Sequence, residues 1–266
     1  MKKLSAIRSE KIWGYEDWIA STHPGGQQPE LLALAGGDYP LLVKVIQADE
    51  TLSVQVHPDD EKAALYEQCR GKTECWYVLA AAENAQIVCG LSGDCSAQEL
   101  ESAIRSNSLQ SCLKREAVSA GDFVYIPAGT VHAICGGLRL LEIQQSSDVT
   151  YRLYDWGRGR ECHIEKGIAC IKQSDSAKPG PFPGAFSCPY FSLEEITVKG
   201  ALSVQTGQRR ESYEPSDIVL FFVTDGTGTV NGESASREDM FAFAPGETAE
   251  FSGSLRLMKI TPGGAR

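Results

Sequence analysis

Short runs of β-branched and aromatic residues, each soon cut by glycine or proline, restrict this chain to short strands joined by turns. Leu41-Leu-Val-Lys-Val-Ile46, Leu52-Ser-Val-Gln-Val56, Trp76-Tyr-Val-Leu79, Phe123-Val-Tyr-Ile126 and Leu138–Ile143 are such runs. Gly36-Gly37, Gly121, Pro127-Ala-Gly129 and Gly136-Gly137 punctuate them. Three helices should interrupt the pattern. Asp59 can cap the first, over Asp60–Gln68. The capping-box run Ser96-Ala-Gln-Glu99 opens the second, which ends near Arg105. The third is short, over Ile164–Ile171. Ser174–Pro183 is rich in Ser, Pro and Gly and is expected to lack regular structure. Beyond it strands are expected over Phe191–Val198, Ala201–Gln205, Ile218–Phe222, Gly228–Val230, Met240–Ala244 and Leu255–Ile260, as a second, smaller β-sandwich or barrel.

A chain of 266 residues is long enough to bury a core as one large β unit or two small ones. Its net charge of −10 argues against wrapping nucleic acid. A few local Lys or Arg can still turn the field positive inside a pocket, so an anionic metabolite remains a candidate ligand. Met1–Glu10 is charged and lacks the apolar core of a signal peptide. No run approaches the ~20 apolar residues that span a bilayer. The nine cysteines are odd in number and none forms C-x-x-C, which suits free thiols in a reducing cytoplasm.

Alternation along a strand puts Gln55 and His57 on one face, with Ser53 continuing it. The same rule aligns Lys72, Glu74 and Trp76. A third segment, Gly121 to His132, has the spacing G-x5-P-x4-H. There a rigid Pro127-Ala-Gly129 turn returns His132 on the next strand. A lone strand histidine is most often a satisfied polar residue. Here two of the chain's four histidines (His57 and His132) and Glu74 all fall in tightly patterned strands, and together they suggest one divalent-ion site. Mixed N and O donors suit Zn²⁺ and would also accept Mn²⁺, Fe²⁺ or Co²⁺. Arg152 starts a strand after a polar loop, where a cation can overhang a pocket or simply face solvent. We read Arg152 and Tyr154 as facing opposite ways.

The G-x5-P-x4-H run matches the second cupin motif. Pro40–Asp60, Gly71-Lys-Thr-Glu-Cys-Trp-Tyr-Val78, Ile126-Pro-Ala-Gly-Thr-Val-His-Ala133 and Glu142–Asp155 closely resemble the type I mannose-6-phosphate isomerases of the short bacterial kind. The resemblance is strong over residues 8–171 and weak beyond. It implies a mainly β chain of two cupin-like β-barrel or jelly-roll domains with a few short helices. Residues 1–173 would form the metal-binding catalytic domain, 174–184 a linker, and 185–266 a degenerate second domain without metal, since no histidine follows Pro245. It implies one zinc ion per chain on Gln55, His57, Glu74 and His132. Arg152 and Lys72 would be catalytic, and Ser53 and Lys44 would contact phosphate. The implied substrate is a small phosphosugar, mannose 6-phosphate, converted to fructose 6-phosphate through a cis-enediol. From charge and the lack of a long apolar run, no nucleic-acid or membrane partner is expected, and the acidic surface permits a monomer or weak homo-oligomer. The spacer of 16 residues between His57 and Glu74 leaves no room for a helical insert domain. Two other functions fit a cupin: a non-catalytic sugar binder, and an iron-dependent dioxygenase.

Overall fold

The computed structural model describes residues 1–93, 96–106, 108–172, 178–208 and 212–263. The chain is mainly β, as expected of a cupin-like fold, but its strands form open sheets and no closed barrel. It divides into two compact units. One holds Met1–Arg8, Asp17–Val45 and Pro183–Arg266; the other holds Ser9–Glu16 and Ile46–Phe182. No helix among the described residues is long and apolar enough to cross a membrane.

The first unit is built on the sheet order Lys2–Leu4, Met240–Phe243, Val219–Val230, Thr248–Pro262, Phe191–Gln205 and Ala185–Ser187. Its strands are longer than expected: the pairs predicted as separate on either side of Gly200 and Gly226 run on as single strands. The reason lies in the glycines. Gly200 and Gly228 both pair with Gly253, and a Cβ on Gly253 would lie 2.7 Å from the Gly228 Cα. Glycine here lets three strands approach without ending them. Phe221 fills the core edge-on to Phe243 (5.5 Å) and Phe251 (5.1 Å). This unit also contains a helix not expected from the sequence, Pro29–Ala35. Proline opens it, and Gly36 closes it in the left-handed conformation (φ 65°) with its N–H on the Leu32 carbonyl. The apolar run is too short for a helical period to stand out.

The second unit has a five-stranded sheet ordered Tyr151–Tyr154, Val54–Val56, His132–Ile134, Gln86–Leu91 and Leu113–Ala117. Facing it, Asp122–Ile126, Glu74–Ala81 and Leu138–Gln145 are consecutive in the other sheet. Trp76, Val78, Val124, Ile126, Leu138 and Leu140 from one sheet share a core with Ile87, Cys89 and Ile134 from the other. The opposite face of the five-stranded sheet (Val54, Val56, Val88, Ala133) packs against Leu100, Ile104 and Cys170 of two helices. The strands His132–Ile134 and Gln86–Leu91 therefore bury side chains on both faces. Of the predicted linker, residues 174–177 lie outside the described residues. Its later part is not irregular: Gly180–Pro181 pairs with Phe123 and Asp122, and Phe182 packs edge-on to Phe123 at 5.3 Å. Proline is tolerated there because this is the outer strand of its sheet.

The helices Asp60–Glu67, Ala97–Arg105 and Ile164–Cys170 fall where the sequence puts them, the second with its full capping box. Asp59 caps the first by accepting from the Lys62 N–H at 2.9 Å, and its other oxygen meets the Lys172 ammonium at 2.8 Å. Burial pushes its carboxyl pKa up, but Lys172 and the Lys62 N–H together outweigh this and hold it below the usual range. A depressed carboxylate stabilises the fold fully above its unfolded value of about 4, and the effect is lost as pH falls through the folded value. Asp59→Ala is expected to cost about 1 kcal/mol at pH 7 in urea unfolding. The gap to wild type should shrink in acid, and a constant gap down to about pH 2 would show that the charge contributes nothing.

Candidate metal centre

Strand pairing assembles the centre. Gln55 pairs directly with His132 on one side and with Arg152 on the other. Residues directly opposite in antiparallel strands share a face, so all three point into the space between the sheets. His57, two residues from Gln55, joins them. Glu74 comes from the opposing sheet, at the start of the strand that carries Trp76 into the core.

His57, Glu74 and His132 are 1%, 1% and 0% exposed, and one ligand atom from each lies within 4.8 Å of the others. Glu74 Oε2 is 3.4 Å from His57 Nε2, and Oε1 is 3.5 Å from His132 Nε2. Both imidazoles are fixed by backbone carbonyls: His57 Nδ1 lies 2.9 Å from the Val149 oxygen and His132 Nδ1 lies 2.9 Å from the Thr130 oxygen. A carbonyl only accepts, so each Nδ1 carries the proton, and the Nε2 of each ring is the atom that faces Glu74. Burial drives the His132 pKa down to about 4, against the Thr130 hydrogen bond, so the ring is neutral at pH 7. His132 Nε2 and Glu74 Oε2 are buried with no hydrogen-bond partner among the described residues. Two imidazole nitrogens and a carboxylate converging in a buried site fit a divalent cation.

Lys72 reaches the same point, with Nζ 3.1 Å from His57 Nε2 and 3.2 Å from Glu74 Oε2. The second contact is charge attraction without an aligned hydrogen bond. Gln55 is partly buried on the shared face. Ser53 is 5% exposed just before the same strand. Lys44 lies in the other compact unit, where it is buried and its ammonium sits 5.2 Å from the centre of the Trp18 ring.

Backbone ties hold these strands in register at the site. The Gly129 N–H donates to the His57 carbonyl at 2.9 Å, which locks the turn that delivers His132 against the strand end that carries His57. The Lys72 N–H donates to the Pro58 carbonyl at 3.0 Å, and Gly71 presses so closely that a Cβ there would lie 2.6 Å from Asp59 and Asp60 backbone atoms. Arg152 and Tyr154 do face opposite ways, but regular alternation would put them on one face. An irregularity between them sets Arg152 across from Gln55 and Tyr154 across from Val54, so a bulge re-aims the strand beside the site. The Arg152 Nη1 donates to the Glu161 carbonyl at 2.7 Å, while Nε is buried without a partner among the described residues.

Two further polar residues line this space and escaped the sequence reading. Glu142 and Gln144 pair with Trp76 and Glu74 and are 3% and 0% exposed. Their signal was present: polar residues at alternate positions, Glu142 and Gln144, late in the Leu138–Gln145 strand.

A family model for phosphomannose isomerase type I, catalytic domain, matches residues 2–85. Mannose-6-phosphate isomerase from Streptococcus mutans serotype c (strain ATCC 700610 / UA159) is 40% identical over 241 residues, which cover 74% of this chain and 76% of that one. Mannose-6-phosphate isomerase ManA from Bacillus subtilis (strain 168) is 35% identical over 236 residues, covering 82% and 70%. A crystal structure of mannose 6-phosphate isomerase from Bacillus subtilis matches with a TM-score of 0.83 at 27% identity, over 97% of this chain and 98% of that one. On these relatives, and with a buried His–Glu–His centre in place, the chain belongs to the type I phosphomannose isomerase family.

Proposed function

We propose that this protein is a zinc-dependent aldose–ketose isomerase that interconverts mannose 6-phosphate and fructose 6-phosphate through a cis-enediolate. The observation that carries this reading is the buried cluster of His57, Glu74 and His132 ligand atoms in a chain of this family. His57, Glu74 and His132 would hold the ion, with Gln55 as a fourth donor. When bound, a divalent ion polarises the sugar's C1–C2 oxygens as a Lewis acid.

The rest is work for the chain's own residues. The reaction takes a proton from C2 of the aldose and delivers one to C1, while the hydroxyl proton on O2 passes to O1. Negative charge grows on oxygen between these steps. The Arg152 guanidinium, in the Gln55–His132 row, is placed to stabilise that charge. The Lys72 ammonium, buried beside Glu74, would hold or move a proton at the sugar oxygens. Ser53 and Lys44 are proposed, on the family resemblance, as phosphate contacts that hold the sugar in register. Sandwich walls around the centre exclude water, which strengthens each of these charges.

Purified protein is expected to carry about one zinc equivalent per chain, and a coupled assay of fructose 6-phosphate formation should fall to background with chelator and recover with Zn²⁺. His132→Ala should cut metal affinity at least about tenfold and abolish turnover with the fold retained. A metal-free, chelator-insensitive enzyme would remove the centre from the mechanism. Arg152→Ala should lower kcat by about 10²–10³-fold while bound metal stays near wild type. Parallel loss of metal and kcat would instead make Arg152 structural.

A further inference from the structure

The loop that follows Arg152 is tied into a ring. It leaves the strand at Asp155 and returns at His163, whose N–H donates to the Arg152 carbonyl at 2.7 Å while its Nδ1 accepts from the Arg152 N–H at 3.1 Å. Within it, Trp156, Gly157 and Gly159 all have positive φ (55°, 81° and 78°). Such a path has little regular hydrogen bonding to hold it. The ties come from side chains. The Asp155 carboxylate, 5% exposed, accepts from Arg158 Nη2 at 2.9 Å and from Arg160 Nε at 2.9 Å, and Arg160 Nη2 also reaches it. The Trp156 indole donates to the Leu52 carbonyl at 2.7 Å. One residue beyond Arg160, the Glu161 carbonyl accepts from Arg152 Nη1 at 2.7 Å.

A long guanidinium side chain has many rotamers, and its strand fixes only the Cα. The Glu161 carbonyl is the contact that aims Arg152, and Asp155 fixes that carbonyl by holding the adjacent Arg160. We propose that Asp155 is a positioning residue for Arg152: it clamps Arg158 and Arg160, and so holds the loop carbonyl that aims the guanidinium along the Gln55–His132 row. Its negative charge also offsets two arginines that would otherwise repel Arg152. The inference rests on the reading of Arg152 as catalytic.

The experiment is a double-mutant cycle on the full-length, zinc-loaded protein, measuring kcat, KM, bound metal and folded fraction. Asp155→Asn and Arg160→Gln are each made in wild type and in Arg152→Ala. A misplacement near 1 Å can cost up to about 10²-fold, so Asp155→Asn should lower kcat about tenfold with KM and metal within about twofold. Arg160→Gln should shift kcat the same way. In the Arg152→Ala background neither should lower kcat by more than about twofold, because the group they position is gone. Equal losses in both backgrounds, or losses that track metal or folded fraction, would overturn the proposal. Should Asp155→Asn not fold, the Arg160→Gln cycle decides by the same criterion. The Arg152→Ala single variant separates the two claims. If it keeps wild-type kcat, the catalytic reading fails and takes the positioning role with it. If it is impaired but the cycle is additive, only the positioning role fails.

Discussion

A carboxylate with 1% exposure must be met by positive charge, and Glu74 is the group around which the second unit is arranged. The Lys72 ammonium is 3.2 Å from one of its oxygens and 3.1 Å from His57 Nε2, and both imidazoles turn Nε2 toward the carboxylate. Neutral imidazole nitrogens do not pair a buried anion; they make sense as co-ligands of a cation. A divalent ion on this triad would answer both the carboxylate's demand for positive charge and the imidazoles' capacity to coordinate. Lys72 would sit close enough to act on whatever such an ion binds.

The imidazoles can only serve this purpose if their tautomers are fixed, and the backbone fixes them. Val149 and Thr130 each offer a carbonyl to Nδ1. Thr130 follows directly on the Pro127–Gly129 turn, whose last N–H is bonded to the His57 carbonyl. The same turn therefore sets the position of one histidine and the tautomer of the other. Precision here comes from short loops tied to strand ends, with the sandwich core supplying rigidity behind them.

Much of the centre was legible because strand alternation is a strict rule. It put Gln55 with His57 and Lys72 with Glu74, and the proline turn announced His132. What alternation cannot supply is which strand lies beside which. That Gln55 stands between His132 and Arg152 follows from pairing across segments about 80 to 100 residues apart, and no local pattern encodes it. The bulge between Arg152 and Tyr154 was invisible for the same reason, since it exists only relative to the partner strand. Glu142 and Gln144 were missed although their spacing was clear, because the Leu138–Ile143 run was read for its apolar residues. In the other unit, strands were expected to break on either side of Gly200 and Gly226, but glycine only permits a break. At Gly200 and Gly228, both paired with Gly253, it permits close approach instead.

The K-x-E spacing joins stability to chemistry. Lys72 lies two residues ahead of the strand that Glu74 opens, and its backbone bond to Pro58 brings ammonium and carboxylate together. Buried together, each lowers the desolvation cost of the other, so the fold can keep both in a place with no water. A lysine stabilised only by that carboxylate would be an inert structural pair. In the proposed reaction a cation would take up the charge of Glu74, while the backbone bond from Lys72 to Pro58 keeps the ammonium beside the centre. The ammonium would then be able to answer a new negative charge, which in the proposed isomerisation is the enediolate oxygen. Arg152, across from Gln55 on the other sheet, would meet the same charge in the proposed reaction, its guanidinium held by the Glu161 carbonyl.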